Sequence, residues 1–193
     1  GQLTAVQPPI EGASAWGFVP TAGRGALPFA LIHGESLVAA ATWGLEAAEV
    51  QPIGHGTTSA ALRERGECVV FHDPLCPMTP PEFIAECVRE AIADDSIIVA
   101  VRPVTDTIKV LEGEFVGRTL DREQLLSLAS PIVFGPGRLA DLPDLDLDGV
   151  LFADLVAILS EINLKLAPAL AARVHDDVER QMLEAASRVV PSG

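Results

Sequence analysis

Apolar and polar positions follow a rhythm along this chain that changes several times, and each change marks an element. Residues 1–14 are polar and contain prolines, which reads as a loose lead-in. WGFVPTAGRG, from Trp16 to Gly25, reads as a short apolar strand running into a glycine-rich turn. SLVAAATWGLEAA, Ser36 to Ala48, is Ala-rich behind a Ser that suits an N-cap, and predicts a helix. GECVVFHD, Gly66 to Asp73, predicts a second strand ending at a polar corner. TPPEFIAECVREAIADD then carries helix-start grammar, with Thr79 as cap, Pro80 in the first helical position and Glu82 completing a capping box. Phe83, Ile84, Cys87, Val88, Ala91 and Ile92 recur at three-and-four spacing and form one buried face. SIIVAV, Ser96 to Val101, is β-branched and predicts a buried strand.

Strand, helix and strand in this alternation predict an α/β fold, a mostly parallel sheet covered by helices. KVLEGEFVGRT, Lys109 to Thr119, departs from it: two short alternating segments flank Glu112-Gly113, the pattern of a hairpin arm projecting from the sheet. A helix from Arg122 to about Ala129 is expected next, then an acidic loop. Two more helical segments, Leu151 to Ser160 and His175 to Val189, flank INLKLA, Ile162 to Ala167, which reads as a strand. No internal repeat interrupts this, so residues 15–193 read as one domain.

Composition narrows the classes of function. With 193 residues, 49% of them apolar and 21% charged, the chain is globular and long enough for a sizeable core. A net charge of −14 argues against nucleic acid or anionic membrane as partner, since both need clustered Lys and Arg. No apolar run approaches the ~20 residues of a membrane helix, and no basic-then-apolar signal pattern opens the chain. Cys68, Cys76 and Cys87 are odd in number and lack CxxC spacing, so they read as reduced thiols of a cytoplasmic protein. The four histidines are scattered without an HxxxH pair, and no metal site is expected.

Four stretches carry candidate chemistry. Ala22-Gly23-Arg24-Gly25 lies between a strand and a helix, where backbone N–H groups cradle phosphate, but without a full GxGxxG or a following Lys-Ser/Thr a tight turn is the better reading of it alone. His72-Asp73 ends a strand at the position where open α/β sheets bind ligands; Pro74 and Pro77 also account for it as a helix-entry turn. DLDLDG, Asp144 to Gly149, imitates the start of a calcium loop, yet its twelfth position is Leu155, so a solvated acidic loop is the better reading. In PVTDTIKVLEGEFVGRTLDR, Pro103 to Arg122, either Thr107, Lys109 and Arg122 offer a hydroxyl, a point charge and a planar fork to an anion, or Lys109 and Arg122 are the solvated ends of a hairpin.

This last stretch resembles the 2-C-methyl-D-erythritol 4-phosphate cytidylyltransferases of the non-mevalonate isoprenoid pathway. PVTDTIK, the glycine-tipped arm, TLDR (Thr119 to Arg122) and SPIVF (Ser130 to Phe134) follow that family's order and spacing. VVFHDPLCPMTPPEFI (Val69 to Ile84) is similar to its strand ending in His-Asp-Ala-Ala-Arg-Pro, and VPTAGRGALPF (Val19 to Phe29) to its nucleotide loop. The resemblance implies a Rossmann-like nucleotidyltransferase fold, a homodimer joined through the arm, and CMP transfer from CTP, with Mg²⁺ carried by the nucleotide, to a sugar-alcohol phosphate. It implies substrate-phosphate binding by Asp73, Thr107, Arg122 and Arg173, with Lys165 the rival to Arg173, and nucleotide binding by Ala22, Gly23, Gly25, Gly56 and Thr57.

The chain departs from the family where CTP would be held. The glycine loop is short, no Arg follows Gly25, Phe29 stands after Pro28 in place of a Lys, and Arg24 lies between the glycines, off the matching position. Trp43 to Gly54 is too short for the expected strand-helix-strand unit, and the family's Arg of the His-Asp motif is Cys76. The expectation is a divergent member, a pseudoenzyme with cytidylyl transfer weak or lost. The alternatives are a working enzyme that borrows Arg24, Arg63 or Arg65, and a non-catalytic dimer that binds a phosphorylated small molecule or a partner protein.

Overall fold

The computed structural model describes residues 15–104 and 125–189. The lead-in at 1–14, the arm at 109–119, and Thr107, Lys109 and Arg122 lie outside the described residues. The strands are β1 (Ala15–Phe18), β2 (Leu31–Ile32), β3 (Glu35–Ser36), β4 (Gln51–Pro52), β5 (Cys68–Phe71), β6 (Ile97–Pro103), β7 (Leu126–Phe134) and β8 (Asn163–Leu166). The helices are α1 (Leu37–Ala47), α2 (Ser59–Arg65), α3 (Pro81–Asp94), α4 (Phe152–Ile158) and α5 (Asp177–Val189).

Six strands form the main sheet in the order β4-β1-β5-β7-β6-β8, and β2 and β3 make a separate small hairpin. β1 runs parallel to β4 and β5, and β8 parallel to β6, whereas β7 is antiparallel to both its neighbours. The central strands are apolar on both faces because both are covered. Val69 and Phe71 of β5, and Ile97, Val99 and Val101 of β6, turn to one face, where Leu62 of α2 and Phe152 and Leu155 of α4 pack with Leu139, Leu147 and Val150. Cys68, Val70, Ile98 and Ala100 turn to the other, against Phe83, Ile84, Cys87, Val88 and Ala91 of α3 and Leu45 of α1. β1 meets α1 and the residues after it so closely that a Cβ on Gly17 would lie 2.9 Å from Leu45 Cδ1 and 2.7 Å from Val50 Cγ1, hence the glycine.

Two local expectations are corrected. The helix proposed from Arg122 is strand β7 over its described part: Leu126 pairs with Pro103, Ser127 with Arg102 and Leu128 with Val101. A ladder partner already in place outweighs the helical propensity of a short run. The register with β6 then shifts between Val99 and Val101, opposite the segment holding Pro131, whose missing N–H cannot serve a ladder. Thr79 is not the cap of α3. Its hydroxyl donates to the Cys76 carbonyl at 2.8 Å, and Pro80 is the N-cap with Pro81 opening the helix, so no capping box forms. Ser36 does cap α1, accepting from the Ala39 N–H.

Helix α2 and strand β4 were not foreseen. Thr58 Oγ1 accepts from the Ala61 N–H at 3.1 Å, and Gly66 in the left-handed region (φ 68°) ends the helix. The acidic stretch is also more than a solvated loop. Asp144 and Asp146 are exposed, but Leu142, Leu147 and Val150 are buried in the core, and a 3₁₀ turn spans Leu147–Gly149. Among the described residues, no helix is long and apolar enough to cross a membrane.

Candidate functional site

β4, β1 and β5 run in one direction, so the loops that follow them emerge at one edge of the sheet: Gly54–Thr58 after β4, the glycine turn after β1, and His72-Asp73 after β5. Ligands of open α/β sheets bind at such an edge. Asp73 is its centre and is only 1% exposed. Its N–H donates to Ser130 Oγ at 2.9 Å, and its Oδ1 accepts from the Leu75 N–H at 2.9 Å. Its Oδ2 accepts from two guanidiniums, Arg173 Nη1 at 2.8 Å and Arg24 Nη2 at 3.4 Å.

Burial works to raise the Asp73 pKa; the charges of Arg173 and Arg24, the Arg173 hydrogen bond and the Leu75 N–H outweigh it and hold the carboxyl below its ordinary value. The cluster of two guanidiniums and one carboxylate carries a net positive charge in a poorly hydrated place, an environment that attracts an anion. Arg24 is nevertheless turned inward, its side chain 7% exposed. Its guanidinium also donates to the carbonyls of Pro20 at 3.0 Å, Ala22 at 3.4 Å and Val150 at 3.1 Å.

His72 stands beside this cluster, fully buried, with Nδ1 2.5 Å from Ser130 Oγ and Nε2 without a hydrogen-bond partner among the described residues. Burial lowers its pKa to about 4, against the pull of Asp73 and with help from Arg173, so the ring is neutral at pH 7. In sequence, His72 is singled out only with Asp73 at a strand end and Ser130 only within SPIVF, neither with a role of its own. A Ser before Pro131, inside an otherwise apolar run, is the signal for the latter.

Arg173 reaches Asp73, whereas its rival Lys165 sits on edge strand β8, donating to Glu90 at 2.6 Å and lying 3.7 Å from Glu86. Cys76, where the family carries Arg, is buried, and desolvation pushes its thiol up to about 12. Gly23 (φ 82°) and Gly25 (φ 61°) take the left-handed conformations of a tight turn. Ala22 donates its N–H to the Asp148 carbonyl at 3.2 Å. Gly56 and Thr57 line a cleft of about 420 Å³ with Trp16, Pro52 and Arg65. Arg65 lies over the Trp16 ring at 3.9 Å, and the Trp16 indole donates to Glu67. Arg63 donates to the Leu142 carbonyl at 2.7 Å and to Asp144 at 2.5 Å. Thus Arg24 and Arg63, two of the three cations that a working enzyme was expected to borrow, are engaged elsewhere, and Arg65 borders the cleft.

A sequence model of the 2-C-methyl-D-erythritol 4-phosphate cytidylyltransferase family matches residues 56–169, more than half of the chain. Among curated proteins so named, that of Corynebacterium diphtheriae is 29% identical over 106 residues, 54% of this chain and 38% of its own length. That of Alkaliphilus metalliredigens is 40% identical over 77 residues, 39% of this chain and 32% of its own. The chain thus matches about a third of the length of these relatives. Among solved structures, 4-diphosphocytidyl-2C-methyl-D-erythritol synthase of Anaerococcus prevotii superposes with a TM-score of 0.58 at 11% identity, covering 93% of this chain and 98% of that one. The cytidylyltransferase of Thermus thermophilus gives 0.53 at 20% identity, covering 90% and 98%. A CMP:2-keto-3-deoxy-manno-octonic acid synthetase complexed with CTP gives 0.54 at 11%, covering 91% and 99%. At such identities these likenesses concern the fold. The matched residues take in β5, α3, β6, β7 and β8 with Asp73 and Ser130, and begin after the glycine turn. By sequence model and by fold, the chain belongs to the 2-C-methyl-D-erythritol 4-phosphate cytidylyltransferase family.

Proposed function

We propose that this chain is a divergent cytidylyltransferase that keeps the sugar-phosphate half of its site and has lost the CTP half. Transfer of CMP from CTP to 2-C-methyl-D-erythritol 4-phosphate is then weak or absent, and the remaining capacity is to hold a phosphorylated small molecule at Asp73, Arg173, Thr107 and Arg122. The observation that carries this reading is the inward turn of Arg24. It is the cation of the glycine turn, and Asp73 and three carbonyls already take up its guanidinium. Attack of an acceptor phosphate on the α-phosphorus, with pyrophosphate leaving, builds negative charge on crowded oxygens. Placed cations supply most of what a protein can offer such a step.

Each lost donor of this kind costs ~10²–10³ in rate. Among the described residues, no three His, Cys, Asp or Glu side chains are grouped to hold a metal ion, so Mg²⁺ in the proposed reaction would arrive with the triphosphate. The test is pyrophosphate release from CTP, Mg²⁺ and 2-C-methyl-D-erythritol 4-phosphate, beside a full-length family enzyme. A rate at least ~10³ lower is expected from the missing donors, and turnover within tenfold of that enzyme defeats the proposal. Binding of the acceptor is tested by thermal shift: the sugar phosphate should stabilise the native chain and not Arg122→Ala. The proposal includes a homodimer joined through the arm, which light scattering on the eluting protein would reveal.

A further inference from the structure

We infer that Asp146–Leu151 is a strap that occupies the anion-binding groups of the glycine turn, so that a nucleoside triphosphate reaches the turn only when the strap lifts. This rests on the reading above that the glycine turn is the remnant of a nucleotide loop. Two donors of the turn already have an acceptor from this segment. The Ala22 N–H donates to the Asp148 carbonyl at 3.2 Å, and Arg24 Nη2 donates to the Val150 carbonyl at 3.1 Å. The second loop at this edge is tied to the same residue, with His55 Nδ1 3.2 Å from Asp148 Oδ1. The segment therefore bridges the glycine turn and the loop before α2, the two sides between which a nucleotide would lie.

The fit is close. A Cβ on Gly149 would stand 3.6 Å from the Ala22 Cβ, and one on Gly23 would stand 3.6 Å from Leu151 Cδ2. Leu147 and Val150, 2% and 6% exposed, anchor the segment in the core. α2 holds its approach from outside: Ser59 Oγ exchanges hydrogen bonds with Leu145 N–H and C=O at 3.1 and 3.4 Å, and Arg63 grips Leu142 and Asp144. Asp146 and Asp148 also set two carboxylates at the mouth, which repel a polyphosphate before contact. The neutral carbonyls satisfy the donors and the carboxylates keep a competitor out.

The experiment loosens and then locks the strap. Ser59→Ala with Arg63→Ala removes the ties to α2 and leaves the glycine turn untouched. Mg·CTP should then bind at least tenfold tighter than to the native chain by calorimetry. Adding Ala22→Cys with Gly149→Cys, whose Cβ separation matches the ~3.8 Å typical of a disulfide, should abolish that gain when oxidised and restore it on reduction. A folded double variant that binds no tighter overturns the inference, as does a locked form that binds equally well. The native chain gives a test free of folding losses. Titrated with millimolar Mg·CTP, it should either bind nothing or lose amide protection at residues 146–151 as it binds, and binding with that protection intact is a refutation. Turnover by the native chain with an opening strap would sink the proposed loss of activity while leaving the strap standing, so the two failures are distinguishable.

Discussion

Replacing Arg173 by Ala tests the electrostatics of the site most directly. The variant deletes the shorter of the two charge contacts to Asp73, 2.8 Å, and leaves the carboxylate buried with Arg24 at 3.4 Å and the Leu75 N–H. Breaking a buried ion pair by removing one partner costs about 3–5 kcal/mol. The surviving Arg24 contact keeps the loss toward the lower end, about 2–3 kcal/mol, which for a chain of this size lowers Tm by roughly 5–10 °C. The sign with pH is the sharper readout. In the native chain the Asp73 carboxyl is held below its ordinary value, so it stabilises above pH 3.8 and that contribution is lost as pH falls through the folded-state pKa. Without Arg173, burial, the largest influence, moves the carboxyl upward, and the folded variant takes up a proton that the native chain refuses. The difference in stability between variant and native should thus be greatest near pH 7 and shrink toward pH 4. Urea denaturation of both proteins from pH 4 to pH 8 measures it. A difference below about 0.5 kcal/mol, the size of an ordinary surface substitution, or one independent of pH, refutes the account of Asp73 as an ionised, cation-clasped group.

Other outcomes follow from the same packing. His72, buried with a pKa near 4 against 6.5 when unfolded, contributes stability that is lost as pH falls from 6.5 toward 4, about 3 kcal/mol at the lower limit; a native chain whose urea midpoint is flat across that window contradicts it. Gly135→Ala would set a Cβ 2.4 Å from the Ala91 carbonyl oxygen, backbone at the end of α3 that cannot swing away, so the variant should unfold at least about 2 kcal/mol earlier in urea. The thiols of Cys68, Cys76 and Cys87, all buried and pushed up to about 12, should ignore a thiol reagent at pH 8 until denaturant is added. They also favour the folded chain up to pH 9 and lose that contribution as pH climbs toward 12.

The sequence announces those parts of the fold whose signal is local and repeated. The apolar runs of β5 and β6 and the three-and-four spacing of α3 name the central layers, because residues buried on both faces or on one stripe leave no choice of side. β7 was misread at its start because Leu126-Ser127-Leu128-Ala129 has no strong local preference, and its identity comes from pairing with β6 some 25 residues away. α2 was overlooked because its seven residues give too little periodicity, although Thr58 and Gly66 mark both ends. Of the site, Asp73 was legible from its place after a strand and Arg173 from the resemblance. The role of Arg24 was not. That a cation between two glycines folds back on a carboxylate 49 residues later depends on the Val150 carbonyl, 126 residues away, and nothing local announces it.

On the proposed reading, the charge arrangement gives a reason why one half of the site could outlast the other. Arg24 and Arg173 share a single carboxylate oxygen, so the group at Asp73 carries one positive charge in excess. A phosphate monoester, at about −1.5 to −2 near pH 7, would be offset in part by that excess, with Arg24 left in its place on Asp73. A triphosphate carries more charge and, placed at the glycine turn, would meet the carbonyls of Asp148 and Val150 and the Asp148 carboxylate. Freeing Arg24 for it would leave Asp73 with Arg173 alone and open the core contacts of Leu147 and Val150. On that reading, nucleotide binding would be opposed by the interactions that hold the site together, while sugar-phosphate binding would not.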